Sequence, residues 1–495
     1  MSRLMAMTPK RKLCNDKSLF PMRQLLIAVF NLLVCTTSNG QMNDPGLQVP
    51  MPAVDQRVEL LSIVARLAGY SEYNMGFNKK YVAEVHEYFD KYKDHPLIQF
   101  MRKVRVTNGT GYNAVMSMAV HLNPPPDLTP IVTKNEPEDK QQVVDSPMFV
   151  PLLRQFYKDA DFETFYHNHA AYYKTAESLF DTVFKQFDAS WYYKYYGVAP
   201  KEKFVVLIGV GNGGGNYGPK LIRSGIDEIA YAIIGEWLFD SLGNPVFDEK
   251  SNTLPTLIHE FNHSFVNYVD EEHRKELEKA GLVVFHAVAD KMQRQAYNNW
   301  KTVFDEAMVR ASVIRYLMTH NSDTSVAHRE LQIQLSNWFV WIDQLVDLLG
   351  IYESNRKTYP TLDSFMPRVV EFYDRVSARI DTLKRNCDMA MAHVLSIVPF
   401  QNGDTTVNPA IKEIKITFDK SLSGQGASIM PGRLGQAHDP VTKFIGYAEN
   451  NTAIVIQVDL KPSFEYQFWL TGNSFQTAAG RPIENYKVSF KTGKE

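Results

Sequence analysis

Helical spacing of apolar residues governs most of the chain. In VDQRVELLSIVARLAGY, from Val54, the residues Val58, Leu60, Leu61, Val64 and Leu67 fall on one stripe, which predicts a helix. Similar spacing recurs at residues 80–92, 112–121 and 147–187, where Phe156, Phe162, Phe165 and Tyr166 read as core. Between them LNPPPDLTPIVTKNEPEDKQQ is rich in proline and charge and predicts an exposed loop. Phe204 to Val210 is a short strand-like run that opens into GNGGGNYGPK. Beyond it, Ile222, Ile226, Ile229, Ile233 and Ile234 recur at helical spacing and predict a helix ahead of Trp237. Further helices are predicted over 282–295, 300–318, 325–349, 365–385 and 389–398. Near Gln401 the period changes to two, in IKEIKITFD, TKFIGYAEN, TAIVIQVD, FEYQFWLTG and NYKVSFKTG, which predicts a small antiparallel sandwich. The fold class expected is α+β: a mainly helical domain with a small mixed sheet, then an all-β sandwich.

The glycine-rich segment lacks the lysine and hydroxyl ending of a phosphate loop and the spacing of a dinucleotide fingerprint. It reads as a turn, with a second reading in which the adjoining strand edge holds an extended peptide. The aromatic cluster WYYKYYG, with Trp191, Tyr192, Tyr193, Tyr195 and Tyr196, reads as packing between helices rather than a sugar-binding surface.

A chain of 495 residues exceeds what one core normally serves. Its 44% apolar and 22% charged content is ordinary for a globular protein. A formal net charge of -2 supplies no field to gather a phosphate backbone, so nucleic acid is not an expected partner. MRQLLIAVFNLLVCTTSNGQ, from Met22, carries Arg23, an apolar run from Leu25 to Cys35 and small polar residues to Gly40, the layout of a cleaved signal peptide. The run is too short for a membrane anchor, and Met22 reads as the true start. Val34 stands before Cys35 where lipid attachment favours a small residue, so the exported, unanchored form is expected over a lipoprotein. Of Cys14, Cys35 and Cys387 only the last would survive cleavage, leaving neither a disulfide nor a cysteine metal site. The organisation expected is a signal region at 1–40, a main domain at 41–400 with a helical part at 54–200, and a β domain at 401–495.

The chemistry centres on HEFNH. On a helix His259 and His263 stand one turn apart on one face, so both imidazoles can reach one ion, and Glu260 beside them can address water on it. Zinc in a catalytic site takes a third protein ligand and keeps a fourth position open. Glu306, in the apolar helix around VFDEAMVRA, is the first candidate, with Arg310 one turn on as its support; Asp270, Asp290 and Asp305 are the competitors. An extended motif would need glycine and histidine where Val266 and Val269 stand, and Asp270 with Glu271 and Glu272 reads as a solvated run. Tyr217, His286 and Tyr297 are candidate donors to an oxyanion. Asn262 reads as a support for an adjoining loop.

HEFNH followed by a glutamate on a later helix resembles the gluzincin peptidases, and more specifically an exported, Bacteroidetes-type bacterial family similar to this chain from VDQRVELLSIVARLAGY to the helices before Gln401. That resemblance implies His259, His263 and Glu306 as ligands of one Zn2+, Glu260 as general base, a zincin-like fold, and a peptide or protein as substrate. GNGGGNYG looks like part of the same pattern, near the cleft. IKITFD and GRPIENYKVSFKTG resemble bacterial immunoglobulin-like modules, which implies a spacer or a cell-surface or glycan contact. A zinc hydrolase of other amides or esters, and a non-catalytic binding or structural protein, are the alternatives.

Overall fold

The computed structural model describes residues 48–131, 146–222, 228–248, 252–321, 323–472 and 474–494. The signal-like segment from Met22 to Gly40, with Cys14 and Cys35, lies outside these residues, as do Ile226 and residues 132–145 of the expected loop.

Eight described helices precede the first long strand: α1 (Gln56–Leu67), α2 (Lys79–Phe89), α3 (Pro96–Asn108), α4 (Asn113–Val120), α5 (Phe149–Asp159), α6 (Phe162–Asn168), α7 (Ala170–Phe184) and α8 (Ser190–Tyr196). Asp55 caps α1 by accepting the Arg57 N–H, and the helix is buried from Val58 to Leu67, Glu59, Ser62 and Arg66 included. Its apolar stripe was legible; its buried charges were not. Trp191, Tyr192, Tyr195 and Tyr196 of α8 are buried, as expected for a packing cluster.

A four-stranded mixed sheet follows, with β1 (Ala53–Val54), β2 (Glu202–Gly209) and β4 (Glu228–Gly235) parallel and β3 (Lys220–Leu221) antiparallel on the β4 edge. β4 corrects the helix expected before Trp237. A strand buried on both faces carries a near-continuous apolar run, and in IAYAIIG the isoleucines also satisfy helical spacing. Pairing with β2 and β3 decides for the strand.

α9 (Thr253–Glu272) packs on β4 and against α11 (Trp300–His320), with α10 (Arg274–Arg294) between them in sequence. Phe261 of α9 stacks on Phe204 of β2, centroids 4.0 Å apart and ring planes nearly parallel, and Phe265 stacks on Tyr196 at 4.3 Å. The helix expected over 325–349 is two, α12 (Thr324–Ser336) and α13 (Ile342–Ser354), broken where Trp338 takes φ +67°. α14 (Leu362–Ala390) starts on a Thr361–Ser364 capping box. From Val54 to Met391 one apolar core runs through these elements.

A second core, from Ala392 to Phe490, draws on the residues of two antiparallel sheets. One has the order β5 (Val394–Val398), β6 (Glu413–Phe418), β9 (Ala453–Val458), β8 (Val441–Ala448), and the other β11 (Tyr486–Lys491), β10 (Glu465–Leu470), β7 (Ile429–Pro431). β5 corrects the expected helix at 389–398: α14 stops at Ala390 and the β-branched run pairs with β6. The whole is mixed α+β, a predominantly helical region and separate sheets.

Candidate metal centre

α9 carries two faces. Leu257, Ile258, Phe261, Phe265 and Val266 are buried, while His259, Glu260, His263 and Asn267 share the other side. Asn262 is buried between the helices: its amide donates to Val309 O of α11 at 3.2 Å and accepts from Tyr196 Oη at 2.9 Å. It supports a helix contact rather than a loop, tying α9 to α11 one turn beyond Glu306.

His259, His263 and Glu306 form a cluster able to hold a metal ion. The two Nε2 atoms are 3.2 Å apart, and each lies 3.6–3.7 Å from a Glu306 carboxylate oxygen. Ligand atoms set about 2.0–2.1 Å from a common tetrahedral centre are about 3.3 Å from one another, so the imidazole pair is at the spacing of one small ion, and the carboxylate beside it turns Oε2 to His259 and Oε1 to His263. His263 Nδ1 lies 3.0 Å from Asn267 Oδ1; donating there leaves the Nε2 lone pair facing the cluster. Burial pushes the His259 imidazole down to about 3, which keeps it neutral and able to ligate.

Glu306 is held from behind. Its Oε2 accepts from Tyr297 Oη at 3.1 Å and from Arg310 Nε at 3.2 Å, while Oε1 accepts no hydrogen bond among the described residues. Burial alone would raise this carboxyl, but His259, Arg310, His263 and the Tyr297 hydroxyl outweigh it and bring it down to about 2. Arg310 in turn donates to Tyr297 Oη at 2.8 Å and to Gln334 Oε1 at 2.8 Å, and Gln334 donates to buried Glu330 at 2.6 Å. The support expected of Arg310 is therefore in place. Tyr297 acts on the carboxylate of Glu306.

Glu260 faces a cleft of about 410 Å³ lined also by His263, Asn267, Gly218, Lys220 and, from α4, Asn113 and Ser117. Burial raises its carboxyl to about 7, the range in which a group can take and return a proton at neutral pH. Tyr217 and Ile233 exchange both backbone hydrogen bonds, and Tyr231 N donates to Pro219 O at 3.0 Å. By the alternation of an antiparallel edge, the N–H and C=O of Gly218 and Lys220, two residues that line the cleft, point away from β4.

The remaining candidates are placed elsewhere. Asp270 is buried inside α9, not in a solvated run; burial raises it well above the usual carboxylate range, and burial also lifts Asp305 beside it to about 6. Neither belongs to the metal cluster, and Asp290 is exposed on α10. Tyr217 is buried and stacks on Tyr73 at 6.0 Å. His286 is exposed, its ring bonded to Leu282 O at 2.8 Å. The glycine-rich loop is bound from within: Gly211 N donates to Glu59 at 3.2 Å and Gly211 O accepts from Arg66 at 3.2 Å. Sequence reasoning missed Asn267, although its place four residues after His263 was a signal; Gly218 ends the GNGGGNYG segment expected near the cleft and does line it, but its approach to Glu260 was not foreseen.

Residues 51–372 match the family model described as a domain of unknown function, DUF4932. The chain belongs to the DUF4932 family. No curated protein matches it. Among solved structures it is similar at 13% identity to surface layer protein SbsC, domains 1-6, over 49% of this chain and 33% of that one, with a TM-score of 0.16. The S-layer protein rSbsC(31-844) also aligns at 13% identity, over 48% of this chain and 34% of that one, with a TM-score of 0.18. This chain thus spans about a third of the length of the solved structures it matches first.

His259, Glu260, His263 and Glu306 all lie inside the DUF4932 match, as do Arg310 and Gly218. β5 to β11 lie beyond it. Among the described residues no helix is long and apolar enough to cross a membrane.

Proposed function

We propose that the chain is an exported zinc-dependent peptidase of the gluzincin type, with His259, His263 and Glu306 as metal ligands and Glu260 as general base. The observation that carries this reading is the conjunction of two imidazoles and a carboxylate at ligand spacing with a carboxyl raised to about 7 in the same cleft. Two histidines and a glutamate are the donor set of hydrolytic zinc. When bound, the ion supplies Lewis acidity that makes water nucleophilic near neutral pH. Glu260 takes the proton of the attacking water and returns it to the departing amine, for which a carboxyl near neutral is suited. The outward amides of Gly218 and Lys220 favour a peptide over other amides or esters, because an extended chain can pair with them whatever its sequence.

In this reading residues 41–400 form the zincin-like catalytic domain, and 401–495 an immunoglobulin-like module for spacing or for contact with a cell surface or glycan. The signal-like segment after Met22 places the enzyme outside the cytoplasm.

The test is metal content and hydrolysis of an unfolded-protein mixture by the native chain and by Glu260→Gln. One zinc per chain in both, with cleavage by the native chain alone, is the expected result. Zinc in both without cleavage would move the assignment to a structural metal, and failure of either to take up zinc would end it.

A further inference from the structure

The two faces of the β3 edge differ. Phe204 is in register with Ala230, and Ala230 with Lys220, so these side chains share the face on which Phe204 stacks against α9; Gly218 belongs to it as well. Tyr217 and Tyr231 alternate to the other face. Tyr231 nevertheless lines the same cleft as Glu260, together with Asn113 and Ser117 of α4. The cleft therefore wraps the edge, with the metal cluster on one side of it and α4 on the other.

α4 is set in place by a strained residue. Tyr112 has φ +49° and ψ -127°, a conformation that a side-chain-bearing residue adopts only where its surroundings hold it. Both of its backbone groups are gripped by one turn: its N–H donates to Glu72 Oε1 at 2.9 Å, and its C=O accepts from Tyr73 Oη at 2.9 Å. Glu72 is fixed in turn by Arg105, whose Nη2 donates to Oε2 at 2.9 Å. The same turn touches the opposite wall, since Tyr73 stacks on Tyr217. The next residue is Asn113, half-buried at the cleft, whose Oδ1 is turned into the protein without a hydrogen-bond partner. Half a turn of its terminal amide about χ2, a broad torsion, exchanges oxygen and nitrogen, so this side chain can offer an acceptor or a donor.

We propose that Asn113, with Ser117 one turn behind it, forms a subsite that selects a short hydrogen-bonding side chain of a peptide paired with the β3 edge, on the face away from the metal. The proposal rests on the peptidase reading. Alternate side chains of such a peptide point to the two faces, so every second residue meets α4. Asn113 is a specificity-determining residue here, and Tyr112, Glu72 and Arg105 are positioning residues.

The experiment profiles cleavage of a position-randomised peptide library by the zinc-loaded full chain and by its Asn113→Asp and Asn113→Leu forms, with bound zinc measured in each. The native chain is expected to favour serine, threonine or asparagine at one position. Asn113→Asp should shift that position toward lysine and arginine by roughly tenfold, and Asn113→Leu toward apolar residues, with other positions and zinc unchanged. Asn113→Asp is nearly isosteric and preserves the packing if the leucine form does not fold. Cleavage with superimposable profiles overturns the subsite alone. Absence of cleavage by the native chain overturns the peptidase reading and the subsite with it.

Discussion

A β-carbon on Gly218 would stand 2.2 Å from Glu260 Oε2. The edge of the sheet thus comes so close to the base that any side chain in place of Gly218 makes the tip of Glu260 move. Gly218→Ala is expected to turn the carboxyl aside without reaching the histidines. A displacement near 1 Å costs about a hundredfold in rate. Turnover should fall by that order while bound zinc stays at the native level, a pairing read from peptide hydrolysis and metal analysis on one preparation. Native turnover in the alanine form would remove Glu260 from the role of base.

Metal and fold should be linked at the His259–His263–Glu306 cluster. An ion at a thousand times its dissociation constant stabilises the form that binds it by about 4 kcal/mol. Thermal melting of metal-free protein should therefore rise on adding zinc, by on the order of 5–10 °C. His263→Ala should abolish the rise, because one imidazole and one carboxylate are a poor zinc site. A rise that persists in His263→Ala would place the ion elsewhere.

Arg310 pairs with buried Glu306 and is joined through Gln334 to buried Glu330. Arg310→Met leaves Glu306 without its cation, a change that costs about 3–5 kcal/mol in a buried network. Zinc affinity should drop by roughly 10–100-fold as Glu306 loses its orientation. Added zinc should recover part of the lost stability, since the ion replaces the positive charge next to Glu306. Competition with a chromophoric chelator gives the affinity and denaturant unfolding the stability; unchanged affinity would show that Tyr297 alone orients the ligand.

What could be read from the sequence was local. His259 and His263 are legible because four residues make a helical turn, and Glu306 because an acid in an apolar helix requires a partner. The third link, Asn262 joining α9 to Val309 of α11, depends on two segments meeting and leaves no mark in either. The same limit explains β4 and β5, whose isoleucine and valine runs fit either period until a neighbouring strand is present. Asp270 read as solvated because Glu271 and Glu272 follow it. On the helix those two turn outward while Asp270 turns in toward Asp305. Asn113 had no signal at all, since its approach to the cleft is set by the Glu72–Tyr73 turn some forty residues earlier.

Glu59 gives a pH test remote from the metal. Burial raises its carboxyl to about 7, against the opposing hydrogen bonds of Tyr81 and Gly211 and the field of Arg66. The folded chain therefore holds this proton more tightly than the unfolded chain does. Its contribution to stability is complete below the ordinary carboxylate range and is lost as pH rises to about 7, by an amount on the order of 3 kcal/mol. Glu59→Gln keeps an oxygen for Gly211 N–H and lets the Tyr81 hydroxyl accept, but it has no proton to lose. Glu236, raised to about 8 by burial, shifts stability in the same direction in both proteins and cancels in their difference. The stability of Glu59→Gln relative to native should therefore increase between pH 5 and pH 8, measured by denaturant unfolding of metal-free protein at each pH. An equal difference at both pH values would mean that Arg66 holds Glu59 ionised throughout, and that the glycine-rich loop is anchored by an ion pair instead of a neutral acid.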